Sequence, residues 1–199
     1  MKKRAFVFLL CIIICVSMVG CGGTKRESAE TVTENALKAF QTVDAEGMAT
    51  YWGSDVTESD DEVQSSDMMK AVLANLTYSI ISSQEDEASG VATVTVELTN
   101  TDVRPVMGLW LQEMLSTAFQ YAFLPEDQQL GDEEMEQLAY ESFIRLLDEG
   151  KDTTVTNTVE VKLKLVEDKW VLEEPTEELI DAILGGMYSA SNELDDAFN

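Results

Sequence analysis

Chemistry in this chain is bounded first by a residue it lacks. The 199-residue sequence has no histidine and three cysteines, Cys11, Cys15 and Cys21. Without imidazole there is no Ser-His-Asp triad, no Cys-His dyad and no His-ligated metal. Tyr78, Tyr121 and Tyr140 are available phenols. The acidic residues fall mostly on polar phases of the pattern, so no inward carboxylate can be named. Tyr78 itself reads as half-buried core with its hydroxyl satisfied at the rim. Asp55, Glu58, Asp60, Asp61 and Glu62 offer oxygens to Ca²⁺ but lack the Asp-x-Asp-x-Asp-Gly spacing, and read as a solvated loop. Asp132, Glu133, Glu134 and Glu136 open a helix, where carboxylates favour the dipole without any ligand. Trp52, Trp110 and Trp170 could line an apolar pocket, against core packing as the default. The candidate ligand-binding residues are therefore Tyr78, Trp110 and Trp170, and no metal or cofactor is implied.

Charge excludes more. With 38 acidic against 13 basic residues the net charge is −25. A nucleic-acid binder needs a basic face to displace counterions, so that class is removed. At 45% hydrophobic residues the chain can bury a sizeable core, and its length suits one domain.

The elements that would position these residues begin after an address. Lys2, Lys3 and Arg4 precede an uncharged, mostly apolar run from Ala5 to Gly20. A basic start, an apolar centre and small residues at the end make a secretory signal over residues 1–20. The run closes on Met18-Val19-Gly20-Cys21, which resembles the bacterial lipoprotein signal. By that resemblance Cys21 receives a thioether-linked diacylglycerol and becomes the mature N-terminus. The same run is long enough to span a bilayer as an uncleaved helix. Gly20, Gly22 and Gly23 crowded at one end suit a processing site better. Cleavage removes three of the 13 basic residues and none of the acidic ones, taking the net charge from −25 to −28. It also discards Cys11 and Cys15, leaving an exported part with no disulfide and no free thiol. Residues 21–27 form a short tether, which at ~3.3 Å per extended residue holds the domain within roughly 20 Å of the membrane.

Residues 28–199 read as a single α+β domain. Helical spacing of Val32, Ala36, Phe40 and Val43 predicts a helix over 28–43. Asp44 caps a second short helix that Gly53 ends, residues 54–66 are a polar loop, and a third helix covers about 67–75. Period-two alternation through Leu76, Tyr78 and Ile80, a turn at 84–90, and alternation through Ala92, Val94, Val96 and Leu98 predict an antiparallel hairpin. Pro105 opens a helical insertion over 105–150, two helices broken near Pro125. Val159, Val161, Leu163 and Leu165 then lead through Glu167-Asp168-Lys169 to a partner strand bearing Trp170 and Leu172. Thr176 caps a last helix weakened by Gly185-Gly186, and the acidic tail is helical in potential. The architecture is a curved antiparallel sheet of about four strands on N-terminal helices, with an insertion between two hairpins and a C-terminal helix.

Three segments carry a further likeness: Phe40-Gln-Thr-Val-Asp44-Ala-Glu-Gly-Met48, Ala92-Thr-Val-Thr-Val96, and Val161-Lys-Leu-Lys-Leu-Val-Glu-Asp-Lys-Trp170-Val-Leu172. In this order the chain from about Ser28 to Leu184 resembles the nuclear-transport-factor-two-like fold, a cone of curved sheet wrapped on helices. The closer likeness is to small exported bacterial lipoproteins of that group, a family of unknown function. The resemblance implies a lipid-anchored protein on the extracytoplasmic face of a bacterial cell membrane, a Gram-positive one favoured. It implies a binding module for a small apolar ligand or a protein partner. The alternative is a cofactor-independent enzyme using an inward carboxylate and a Tyr. The helix from 105 to 123 has an apolar face broad enough to be buried on two sides or to meet a partner.

Overall fold

The structure, a computed structural model, describes residues 26–53, 62–125 and 128–198. The leader, Cys21, the tether up to residue 25 and the acidic loop residues Asp55, Glu58, Asp60 and Asp61 lie outside the described residues. Helix α1 (Ala29–Gln41) starts where Ser28 Oγ accepts the Thr31 amide at 3.1 Å, one of the N–H groups a helix cannot satisfy itself. Val32, Ala36, Leu37 and Phe40 fall on one face and are buried. A corner at Val43, held at φ 50 by the amides of Val43 and Asp44 bonding back to Phe40 and Ala39, turns the chain into α2 (Ala45–Trp52). Gly53 at φ 92 ends it, a conformation open to glycine.

Helix α3 (Glu62–Leu73) begins five residues before the predicted start at 67. Its first turns, Glu-Val-Gln-Ser-Ser, have no apolar period but contain neither Gly nor Pro, so nothing stops a helix from running back through them. Strand β1 (Thr77–Asp86) likewise outruns its prediction and takes Gln84, Glu85 and Asp86 from the expected turn. They pair with Thr93, Ala92 and Val91 of β2 (Val91–Thr101), and β1 is an edge strand, where polar side chains are tolerated. A register shift between Ile80 and Ser82 inverts the strand's parity. Tyr78 and Ile80 share the inner face before it; Ser83 and Glu85 share it afterwards, opposite Val94 and Ala92.

The insertion leaves the sheet at the far end of β2. Helix α4 (Val103–Ala122) is capped by Asp102 and starts two residues ahead of Pro105. Proline in a first turn removes only an N–H that has no intrahelical partner. Helix α5 (Asp132–Gly150) returns, with Glu134 reaching back to the Gly131 amide at 3.0 Å. The neck closes where Thr101 pairs with Thr154 and the Asp102 amide bonds Thr153 O at 2.8 Å. Strand β3 (Thr154–Val166) passes through Glu167 and Asp168, both at positive φ (49 and 62), into β4 (Lys169–Leu172). Positive φ at both central residues is the two-residue hairpin geometry whose twist matches the strands. The sheet is antiparallel in the order β1-β2-β3-β4. Helix α6 (Glu177–Ile183) is capped by Thr176, and Gly185-Gly186 divides it from α7 (Met187–Phe198). The tail is thus helical and the last helix is two.

Two cores result. The inner face of the sheet (Val94, Val96, Leu98, Val159, Val161, Leu163, Trp170) packs on α1, α2 and α6 through Leu37, Phe40, Trp52, Leu179 and Ile183. Each such fully buried aliphatic contributes about 1.5–3 kcal/mol. The second core joins the insertion to α3: Val72, Val103, Val106, Phe143, Leu146 and Leu147. Buried Asn100 fastens them together. Its Nδ2 donates to Val72 O (3.0 Å) and Ile183 O (2.8 Å), and its Oδ1 accepts the Thr101 amide.

Candidate binding groove

Residues from four helices converge at the root of the insertion. Met68 of α3, Met107 and Trp110 of α4, Tyr140 and Phe143 of α5 and Met187 of α7 line an open apolar groove of about 300 Å³, with Ala139 in its wall and Glu136 as its one charged residue. Trp110 is held rigidly. Its Nε1 donates to Ala139 O at 2.9 Å, and its ring meets Phe143 edge-on at 6.0 Å and 82°. The polar end of the indole is thereby satisfied and the ring presents only apolar surface. Three methionines beside fixed aromatics make a lining that adapts to shape, since thioether chains repack at low cost.

Local chemistry sets this geometry. Gly185 carries φ +64, and a Cβ there would stand 1.9 Å from Thr101 O. That close approach lets the Val103 amide bond Gly185 O at 2.8 Å and pins α4 against the α6–α7 corner. Asp181 then caps α7 from a distance, accepting from the Ser189 amide (2.8 Å) and hydroxyl (2.7 Å), which places Met187 at the groove. At the start of α4, Arg104 grips Asp102 with two bonds of 2.8 Å. This side-chain bond is the main reason the Asp102 carboxyl lies below its ordinary value, against a smaller opposing effect of burial.

The other two predicted ligand residues sit elsewhere. Tyr78 is half-buried against the sheet core, and its hydroxyl donates to Glu34 O at 3.3 Å. Burial and then the Glu34 charge raise its pKa, which disfavours phenolate. Trp170 is buried at the opposite edge of the sheet and donates from Nε1 to Glu85 at 3.1 Å. A bond from β4 to β1 across two intervening strands records how far the sheet curls. Arg26 lies 5.4 Å above the Trp170 ring and pairs with Asp168 (2.8 Å) and Glu87. Glu85 also accepts the Ala29 amide at 2.6 Å. The first described residues are therefore clasped to both hairpin turns, beside a cleft of about 460 Å³ that Trp170 floors.

Tyr78 and Trp170 thus belong to the sheet core and Trp110 to the helical one. Sequence reasoning missed the groove methionines, which come from three distant segments, and the clasp residues Arg26 and Glu85. The parity change at the bulge puts Glu85 on the inner face, and alternation alone assigns it outward.

Among the described residues the buried polar side chains are Thr33, Asn100, Thr101 and Ser142, with no Asp or Glu. Among them, too, no group of three or more His, Cys, Asp and Glu is placed to hold a metal, and no helix is long and apolar enough to cross a membrane. Glu133, Glu134 and Glu136 are exposed on the first turns of α5. No protein-family model matches the chain, and neither a curated protein nor a solved structure matches it.

Proposed function

We propose that this protein is an exported, lipid-anchored binding module that holds a small apolar ligand in the groove between α3, α4, α5 and α7. The observation that carries the reading is the convergence of three methionines on the fixed Trp110–Phe143 pair, open to solvent. A volume of about 300 Å³ suits a small ring or a short acyl chain, and a mostly apolar wall with a few polar groups is the usual make-up of a ligand site. The inner face of the sheet, where a cone-shaped fold would bind, is filled by side chains of α1, α2 and α6. Anchoring rests on the leader and on Cys21, which would carry diacylglycerol on the outer face of a bacterial cell membrane. Two acyl chains suffice for stable attachment where one is marginal. The order of helices, hairpin, helical insertion, hairpin and C-terminal helix supports kinship with nuclear-transport-factor-two-like lipoproteins. The competing enzyme needs an inward carboxylate beside a phenol. Tyr78 has a backbone carbonyl as its partner; the phenol and carboxylate that do share a site are Tyr140 and Glu136 on the groove wall, and Glu136 is exposed rather than inward.

The groove is tested by titrating the exported chain with a neutral naphthylamine dye. Met107→Glu and Met187→Glu should abolish its fluorescence gain, while Phe123→Glu, at the tip of α4, should leave it intact. Equal gains in all three variants would refute the site. The anchor has a separate test: Cys21→Ser should abolish acyl labelling, and persistent labelling would remove that half of the reading.

A further inference from the structure

The groove has a polar end that an apolar ligand alone leaves unused. Along the wall supplied by α5, exposure falls one turn at a time: Glu136 is exposed, Tyr140 half-buried and Phe143 buried at 4%. Residues three and four apart share one side of a helix, so these side chains run in line from the mouth to the floor. The indole of Trp110 is fixed to the same strip through Ala139 O. Among the described residues, neither the Glu136 carboxylate nor the Tyr140 hydroxyl has a hydrogen bond or ion pair. Other carboxylates of the same helix are engaged: Glu134 reaches back to the Gly131 amide, and Glu141 accepts from Gln137 at 2.7 Å.

Charge selects the head group of the occupant. Among the described residues no Lys or Arg lines the groove. The basic residues of its four helices are Lys70, Arg104 and Arg145, and each holds a carboxylate elsewhere: Asp67, Asp102, and the Glu113 and Glu149 pair. A carboxylate or phosphate head would therefore meet no cation here, on a chain of net charge −25. A protonated amine meets the opposite. Its three N–H donors find a free carboxylate and a free phenol oxygen at the mouth. Aromatic faces below attract a cation as well as an apolar body. Glu136 stays in contact with water, so pairing it carries little of the desolvation cost of a buried ion pair. The summed negative field of the molecule draws such a ligand toward the site.

We infer that the groove selects an amphipathic cation, an aryl- or alkyl-ammonium compound. Its apolar body lies on the methionines and the Trp110–Phe143 pair, and its protonated nitrogen sits at Glu136 and Tyr140. The inference rests on the groove being a ligand site and adds the head group that the site prefers.

Probes that share one apolar body and differ in head group test it: naphthylethylamine, naphthylethanol and naphthylpropanoate. Each is measured by equilibrium dialysis against the full chain in phosphatidylcholine nanodiscs, with empty discs subtracted. The alcohol reads the groove itself, and Met107→Glu should abolish its binding. The amine should bind about fivefold more tightly than the alcohol, the advantage that an exposed ion pair gives, and the propanoate should bind most weakly. Glu136→Gln should bring the amine-to-alcohol ratio below about twofold; a ratio taken within one variant cancels any change in the apolar contacts. Glu133→Gln removes the same charge from the same helix outside the groove, and should keep the fivefold preference. Raising salt from about 50 to about 500 mM should shrink the preference in the unsubstituted chain. Equal binding of amine and alcohol would overturn the head-group assignment and leave the groove standing. So would a preference for the propanoate, or a preference for the amine that Glu133→Gln and Glu136→Gln lower alike. Alcohol binding that Met107→Glu does not change would remove the groove and this inference together.

Discussion

Thr33 shows how finely residue-scale chemistry is set. It is fully buried in α1, and its hydroxyl has no hydrogen-bond partner among the described residues. A buried unsatisfied hydroxyl costs about 1–3 kcal/mol. Thr33→Val keeps the shape and removes that cost, so it should raise unfolding free energy by about 1 kcal/mol in urea titration; a loss of stability would show that the hydroxyl is used. Asn100 is the opposite case. Its amide satisfies two carbonyls from different helices, and Asn100→Leu should destabilise by about 2–3 kcal/mol because both are left unpaired. Neither residue was legible as special in the sequence. Composition marked what is absent, and alternation marked which strand residues face inward, but partners from segments 28 and 83 residues away have no local signal. The same holds for Met68 and Met187, whose meeting at Trp110 is a property of the assembled helices.

At the scale of elements, periodicity located α1 to α6 and the four strands, erred at their ends, and read as one the last helix that Gly185-Gly186 divides in two. The ends of α3 and β1 extend into polar residues because a boundary needs a breaker, and neither Glu62–Ser66 nor Gln84–Asp86 has one. Glu167-Asp168 was readable as a short charged break between two alternating strands, whereas Gly185-Gly186, which reads as a weakened helix end, is a positive-φ corner between two helices. Gly185→Ala tests the second of these. The new Cβ would fall on Thr101 O, so the variant should lose at least about 2 kcal/mol and the groove's dye response together; a wild-type melt would contradict the packing of this corner. The start of α4 makes a pH prediction. The Asp102 carboxyl sits below its ordinary 3.8 because of Arg104. Its stabilisation is complete above that ordinary value and is lost as pH falls through the lower folded one. Asp102→Asn keeps the cap and loses the charge. Its deficit against wild type in thermal melts, about 0.5 kcal/mol at neutral pH, should shrink as pH falls below 3.8. A deficit unchanged across that range would contradict the pair.

For the whole molecule, the layout separates attachment from recognition. The first described residues are clasped between the two hairpin turns, while the helical insertion stands on the opposite end of the sheet with the groove at its root. A tether of a few residues would then hold the hairpin end near the bilayer and leave the insertion free to bind. The α+β plan and the insertion were legible from period changes along the chain. The site was legible only in part: Trp110 stands out by its type, and its setting comes from contacts among four helices. The most direct test is a native mass spectrum of the full chain released from its membrane in mild detergent. The account predicts a polypeptide beginning at a diacylated Cys21 that retains a small noncovalent apolar mass, and loss of that mass in Met107→Glu. A chain still bearing its leader, or the same bound mass in both proteins, would contradict it.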